Sequence, residues 1–268
     1  MLTIDLTGKT ALVVGGARGI GAGIVAALAR AGARVTFTHT GRHPERVAEL
    51  QADARADAVA ADATSEAAMT ACVHALVARH GTLDILVHNA GKNLARPVEA
   101  MTLDSWREFL DWNLTSAYLS VRAVIPHMLA AGFGRIILIG SSACYNGGGG
   151  ALDYAAAKSG LVGMMTYLTR EYARRGILTN VIHPGAIETD LLKAFVGRQA
   201  DAIVLPGFTH SESLHEHLRR FQTTLDGIRL PNPHSIEEWR AIILRIIAEA
   251  PFDDQTIYIQ VTRGADTK

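Results

Sequence analysis

The sequence predicts an α/β domain, a doubly wound parallel seven-stranded sheet with helices on both faces. Three observations predict it. From Thr10 to Val181, short β-rich runs alternate with longer alanine-rich amphipathic stretches. Runs such as Ile136-Ile137-Leu138-Ile139-Gly140 show no polar alternation, which is how a strand buried on both faces reads. A length of 268 residues, 49% of them hydrophobic, is enough for a single well-buried domain over residues 1–268.

The expected strands are Ala11 to Val14, Arg34 to Thr38, Ala58 to Ala60, Ile85 to His88, Arg135 to Ile139, Leu178 to Ile182 and, last, Thr256 to Val261. Helices are expected over Ile20 to Ala31, Pro44 to Ala54, Ser65 to His80, Leu103 to Ala130, Leu152 to Arg174 and Ile236 to Ala248. Between Thr189 and Ser235 the periodicity weakens around Pro206, Pro231 and Pro233. Residues 190–234 are therefore expected to form a substrate lid rather than a plain connector.

Composition excludes several functions. With 26 basic and 26 acidic side chains, no net field draws the chain to nucleic acid or to an anionic membrane, so a small molecule is the expected partner. Cys72 and Cys144 are far apart and lack metal-type spacing, which predicts neither a disulfide scaffold nor a metal site and suits the reducing cytoplasm. His215 and His217 stand two apart, on different sides of a helix, and with His210 read as solvated surface. The first residues show no basic-then-apolar signal pattern, and no apolar run of about 18 residues could span a bilayer.

After the first strand, Gly15, Gly19 and Gly21 fall at Gly-x-x-x-Gly-x-Gly spacing and open into a helix. Glycine lets the backbone approach a pyrophosphate, and the helix start adds unpaired N–H groups and a positive dipole end. The better-known Gly-x-Gly-x-x-Gly pattern is not met, because Ile24 takes its third glycine position. A second glycine segment, Asn89-Ala90-Gly91, follows the fourth strand, at a carboxyl end where doubly wound sheets bind ligands. Asp62 ends the third strand similarly, and reads equally well as a cap for the helix from Ser65.

Tyr154 and Lys158 lie four apart on one helix face, about 5–6 Å apart at Cβ. A phenol with an ordinary pKa of about 10 is a poor base at neutral pH, and a neighbouring ammonium would favour its phenolate. Ser141, at the end of the fifth strand, could donate to an oxygen gaining negative charge, with Ser142 as the alternative. Singly, these residues also read as a turn former, a packed aromatic and a solvated charge. Their joint placement beside two glycine segments favours chemistry.

These motifs make the stretch from about Leu6 to Thr189 resemble the short-chain dehydrogenases/reductases, most nearly their carrier-protein 3-oxoacyl reductase members. The resemblance implies a Rossmann-type fold and hydride transfer between a nicotinamide and a carbonyl or secondary alcohol, with Tyr154 as the general acid/base. It implies that Ser141, Tyr154, Lys158 and Asn113 are catalytic, Asn113 fixing a water that links Lys158 to a proton relay. A second reading of Asn113 is a helix-interior residue holding a neighbouring backbone carbonyl. It implies dinucleotide contacts from Gly15, Arg18, Gly19, Ile20, Gly21, His39, Thr40, Asp62, Asn89, Ala90, Gly91, Tyr154, Lys158, Pro184, Gly185, Ile187 and Thr189, and a homo-oligomer, tetramer or dimer.

NADP is the expected cofactor, with NAD possible. The second strand ends at His39 and no acid follows before Glu45, whereas an NAD site generally places a carboxylate there. Arg18, Thr40 and Arg42 could hold a 2′-phosphate. Three departures from the family pattern stand out: Val14 for threonine, His88 for the first asparagine of Asn-Asn-Ala-Gly, and an atypical last strand from Asp254 to Thr262. A non-catalytic NAD(P)H-binding regulator of the same fold is the alternative, but it would not need Ser141, Tyr154, Lys158 and Asn113 together.

Overall fold

Apolar runs without alternation can be buried only if both faces of the sheet are covered, and the chain is arranged that way. The computed structural model describes residues 4–147, 150–185 and 187, with isolated positions 235, 237, 238 and 241. Six strands are described: β1 (Thr10–Val14), β2 (Arg34–His39), β3 (Asp57–Ala60), β4 (Ile85–His88), β5 (Gly134–Ile139) and β6 (Ile177–Ile182). All pair in parallel, in the order β3-β2-β1-β4-β5-β6. The expected seventh strand, the 190–234 segment and Thr189 lie outside the described residues, as does nearly all of the helix expected from Ile236. At that helix start, Ser235 and Glu238 exchange capping bonds of 2.7 and 3.1 Å.

Helices α1 (Gly19–Arg30), α2 (Pro44–Ala54), α3 (Glu66–His80), α4 (Leu103–Leu110), α5 (Ser116–Ala131), α6 (Ala143–Asn146) and α7 (Leu152–Tyr172) fill the connections. Side chains alternate across a strand. Leu12 and Val14 of β1 therefore join Met69, Val73, Val124 and Leu161 from α3, α5 and α7. Ala11 and Val13 join Val25 and Val47 from α1 and α2 on the other face. All of these elements lie in the compact unit Met1–Arg198; Gln199–Lys268 forms a second unit.

Two local results differ from expectation. The single helix expected over Leu103 to Ala130 is interrupted by one wide turn, Asp111–Thr115, where the Ser116 N–H reaches back five residues to the Asp111 carbonyl. Within it Asn113 donates to the Phe109 carbonyl (3.0 Å), a side-chain bond that competes with the regular ladder. The short α6 was not expected at all. It forms just beyond Ser141, whose Oγ accepts the Ala143 N–H (3.2 Å).

The sheet order positions the site. From β3 at one edge the chain crosses to β4, on the far side of β1, so Val14 and His88 are register partners. The turns leaving β1 and β4 then diverge from adjacent carboxyl ends and open a crevice, the usual ligand position in doubly wound sheets.

Candidate active site and dinucleotide groove

At the β1 end of the crevice the site is made of backbone. Gly15 and Gly19 sit at φ +77° and +53°, where other residues are strained. A Cβ on Gly15 would stand 2.9 Å from the Ala90 backbone, and one on Gly21 would collide with the Gly15 carbonyl. Thr38 Oγ1 accepts the Gly15 N–H (3.0 Å), and Asn89 Nδ2 donates to the Gly15 carbonyl (2.8 Å), locking the two glycine segments together. Helix α1 starts at Gly19 with no side-chain cap and no acid in its first turn. Its N–H groups and dipole thus face the crevice uncompensated by protein, which fits a pyrophosphate.

A groove runs on from this turn, lined by Arg18, Ile20, His39, Thr40, Arg42, Asp62 and Asn89 to Gly91. His39 Nδ1 accepts the Gly41 N–H (3.1 Å), fixing the turn that carries Arg42. Asp62 does not cap α3. Ser65 does, accepting the Ala68 N–H at 3.2 Å. Asp62 Oδ1 instead takes Thr64 N (2.9 Å) and Oγ1 (2.8 Å), and these bonds hold its carboxyl below the usual carboxylate range.

At the β5 end the site is made of buried side chains. Tyr154 and Lys158 project from α7, 9% and 4% exposed. Burial pushes the Tyr154 phenol up, while a hydrogen bond with Ser141 draws it down. The structure thus joins Ser141 to Tyr154, with burial outweighing that bond in the net shift. The Lys158 ammonium donates to the Ile139 carbonyl (2.9 Å) and lies 5.8 Å from the Tyr154 ring centre. Burial lowers Lys158 itself to about 8. Gly91 is where the two halves meet, since a Cβ there would stand 2.6 Å from Asn113 Oδ1 and 3.3 Å from Lys158 Nζ.

Asn113 is fully buried. Its Nδ2 donates to the carbonyls of Lys92 (2.9 Å) and Phe109 (3.0 Å), and its Oδ1 accepts the Lys92 N–H (3.1 Å). It therefore does hold neighbouring carbonyls, and it fastens the Gly91 segment to the wide turn. Pro184 ties the segment after β6 to the same end, its carbonyl accepting the Ser142 N–H (3.0 Å). Gly185 is partly buried and Ile187 exposed.

Residues 9–199 match the family model described as short chain dehydrogenase. The chain belongs to the short-chain dehydrogenase family. Among short-chain dehydrogenases it is similar to the 3-oxoacyl-[acyl-carrier-protein] reductase of Vibrio cholerae, 36% identical over 199 residues, which are 74% of this chain and 82% of the relative. It is 42% identical to the Escherichia coli K12 enzyme of the same name over 127 residues, 47% of this chain and 52% of that one. The chain thus spans about half the length of that E. coli relative. A solved dehydrogenase/reductase from Sinorhizobium meliloti superimposes with a TM-score of 0.66 at 33% identity, over 73% of this chain and 82% of that one. A Beutenbergia cavernae structure holding NADP gives 0.67 at 34%, over 75% and 80%.

The departures from the short-chain dehydrogenase pattern have structural answers. With Val14 buried in place of threonine, the strand ends are joined through Thr38 and Asn89 instead. His88 turns toward α5, with Nδ1 3.1 Å from Ser120 Oγ and Nε2 3.2 Å from Ser116 Oγ. Burial, then the Lys158 charge, lower it to about 3, so the ring is neutral. Both hydroxyls also lie 2.8 Å from carbonyls, Ser120 from Ser116 and Ser116 from Trp112. A neutral imidazole donates through one nitrogen only, so one serine must turn its proton to the ring.

Three features escaped the sequence reading. Arg96 pairs with the fully buried Asp153, whose other oxygen accepts the Tyr154 N–H (2.7 Å), so this ion pair anchors the start of α7. His183 Nδ1 lies 3.0 Å from the Ser141 carbonyl and braces that turn. Lys92 and Trp112 line the same groove as the glycine turn. For these two a signal existed, since they adjoin Gly91 and Asn113 directly in sequence; the Arg96–Asp153 and His183–Ser141 contacts join residues 57 and 42 positions apart.

Proposed function

We propose that the chain is an NAD(P)-dependent oxidoreductase acting on a carbonyl or secondary alcohol, with NADP(H) preferred. The observation that carries this reading is the convergence of a Ser141–Tyr154 hydrogen bond and a buried Lys158 with a glycine turn suited to pyrophosphate. The bound dinucleotide would supply or accept the hydride. In the reducing direction Tyr154 gives its phenolic proton to the substrate oxygen, and Ser141 donates a hydrogen bond to that oxygen as charge develops. In the oxidising direction Tyr154 takes the alcohol proton. Lys158 keeps a positive charge near the transferred proton, and Asn113 holds the Gly91 segment in place against it.

The cofactor preference rests on His39, Thr40, Arg42 and Arg18 around one end of the groove, where Asp62 is the acid in the lining. A cationic wall of this kind suits a 2′-phosphate, which a carboxylate on the ribose hydroxyl would repel. We also propose a homo-oligomer, dimer or tetramer, which sedimentation would test. The primary test is a screen of ketones and alcohols, following absorbance of the reduced nicotinamide with each cofactor. Turnover that requires a dinucleotide and favours NADP(H) is expected. Dinucleotide binding with no turnover of any carbonyl or alcohol would favour the regulator instead.

A further inference from the structure

Lys92 has no part in proton transfer, yet its position is closely fixed. Its backbone is clamped on both sides by Asn113, through the 3.1 and 2.9 Å bonds already described. From that anchor its side chain lies over the face of Trp112, with Nζ 3.2 Å from the ring centre. Both residues line the same groove as the glycine turn, Arg42 and Asp62. Burial, then the charge of Arg42, lower the Lys92 ammonium below the ordinary lysine range, while Glu108 and Asp62 oppose this. Among the described residues it forms no ion pair, and Asp62 already spends Oδ1 on Thr64.

Two cations sharing a partly desolvated groove repel each other, a repulsion opposed by the Trp112 face and by the charges of Glu108 and Asp62. An anion in the groove would relieve the repulsion. A lysine ammonium, a compact point charge, suits a phosphate oxygen. We propose that Lys92 is a phosphate-binding residue of this groove, its ammonium, pre-positioned on Trp112, taking a phosphate oxygen of the bound dinucleotide. This rests on the dinucleotide reading above. The phosphate is either the pyrophosphate or the 2′-phosphate, and the probes below separate them.

Calorimetric titration of the full chain with ADP-ribose, adenosine 2′,5′-bisphosphate and adenosine tests the assignment. Lys92→Met keeps the stem over Trp112 and removes the charge, whereas Lys92→Arg keeps the charge. The Met variant should bind at least one phosphate probe about ten-fold more weakly at low salt, with the difference shrinking as ionic strength rises. The Arg variant should stay within about three-fold of the parent. Loss confined to ADP-ribose, or shared by both probes, assigns the pyrophosphate, whose adenosine side the 5′-phosphate of the bisphosphate also occupies; loss confined to the bisphosphate assigns the 2′-phosphate. Unchanged affinity for both, or an equal loss for uncharged adenosine, overturns the role of Lys92 alone. A parent protein that binds neither phosphate probe overturns the dinucleotide reading with it.

Discussion

Where β1 gives way to α1, the crevice is walled by glycine backbone and helix N–H groups, with charged side chains farther along the groove. Around the end of β5 lie buried polar side chains, Tyr154, Lys158, Asn113 and, from neighbouring β4, His88, three of them with displaced pKa values. The first region would meet a ligand through shape, main-chain dipoles and the fixed charges of Arg18, Arg42 and Lys92 along the groove. The second depends on where protons reside, and burial controls that. Substitutions should therefore act by sterics and fixed charge in one region and by proton equilibria in the other.

The largest expected effect tests the catalytic region. Tyr154→Phe removes the transferable proton and little packing, so turnover of a substrate found in the screen should fall on the order of 10²-fold or more. Dinucleotide affinity, measured by titration, should stay near the parent value. A Phe variant turning over at the parent rate would remove Tyr154 from the mechanism.

Next is the glycine turn. Gly15→Ala adds a Cβ 2.9 Å from the Ala90 backbone at φ +77°, and should destabilise the fold by about 2–3 kcal/mol while weakening dinucleotide binding. Gly23, inside α1, has open space around it, and Gly23→Ala should instead stabilise by about 0.5–1 kcal/mol. Urea denaturation of both variants checks this. Equal effects would mean that the turn is not a steric device.

His88 offers a pH test. Its folded value of about 3 lies below the ordinary histidine value of 6.5, so below pH 6.5 the unfolded chain takes a proton that the folded chain refuses. Its contribution is intact above pH 6.5 and is lost as pH falls toward 3, at roughly 1.4 kcal/mol per pH unit. His88→Asn should flatten that part of the stability profile. An unchanged slope between pH 6.5 and 4 would show that His88 is protonated in the folded chain or that other groups set the profile.

The smallest effect sharpens the groove. Arg18→Ala should reduce the NADP(H) preference in kcat/KM by roughly ten-fold, with little change for NAD(H). Equal or better use of NAD(H) by the parent protein would break the cationic-wall argument.

By itself, the sequence determined the parallel sheet, the two glycine segments and the Tyr154–Lys158 pair. Each of these is a short-range pattern: strand burial shows in runs of five or six residues, a close-approach turn in glycine spacing, a shared helix face in a separation of four. Tertiary structure alone decided the environments. The wide turn at Asn113, the pairing of Arg96 with Asp153, the placing of His88 between Ser116 and Ser120, and Lys92 against Trp112 all join residues from different elements. The direction of the Tyr154 shift belongs with these. Four residues of helix set how near Lys158 can come, but where its ammonium points, and how much water reaches the phenol, depend on the Ile139 carbonyl and on packing that no local pattern encodes.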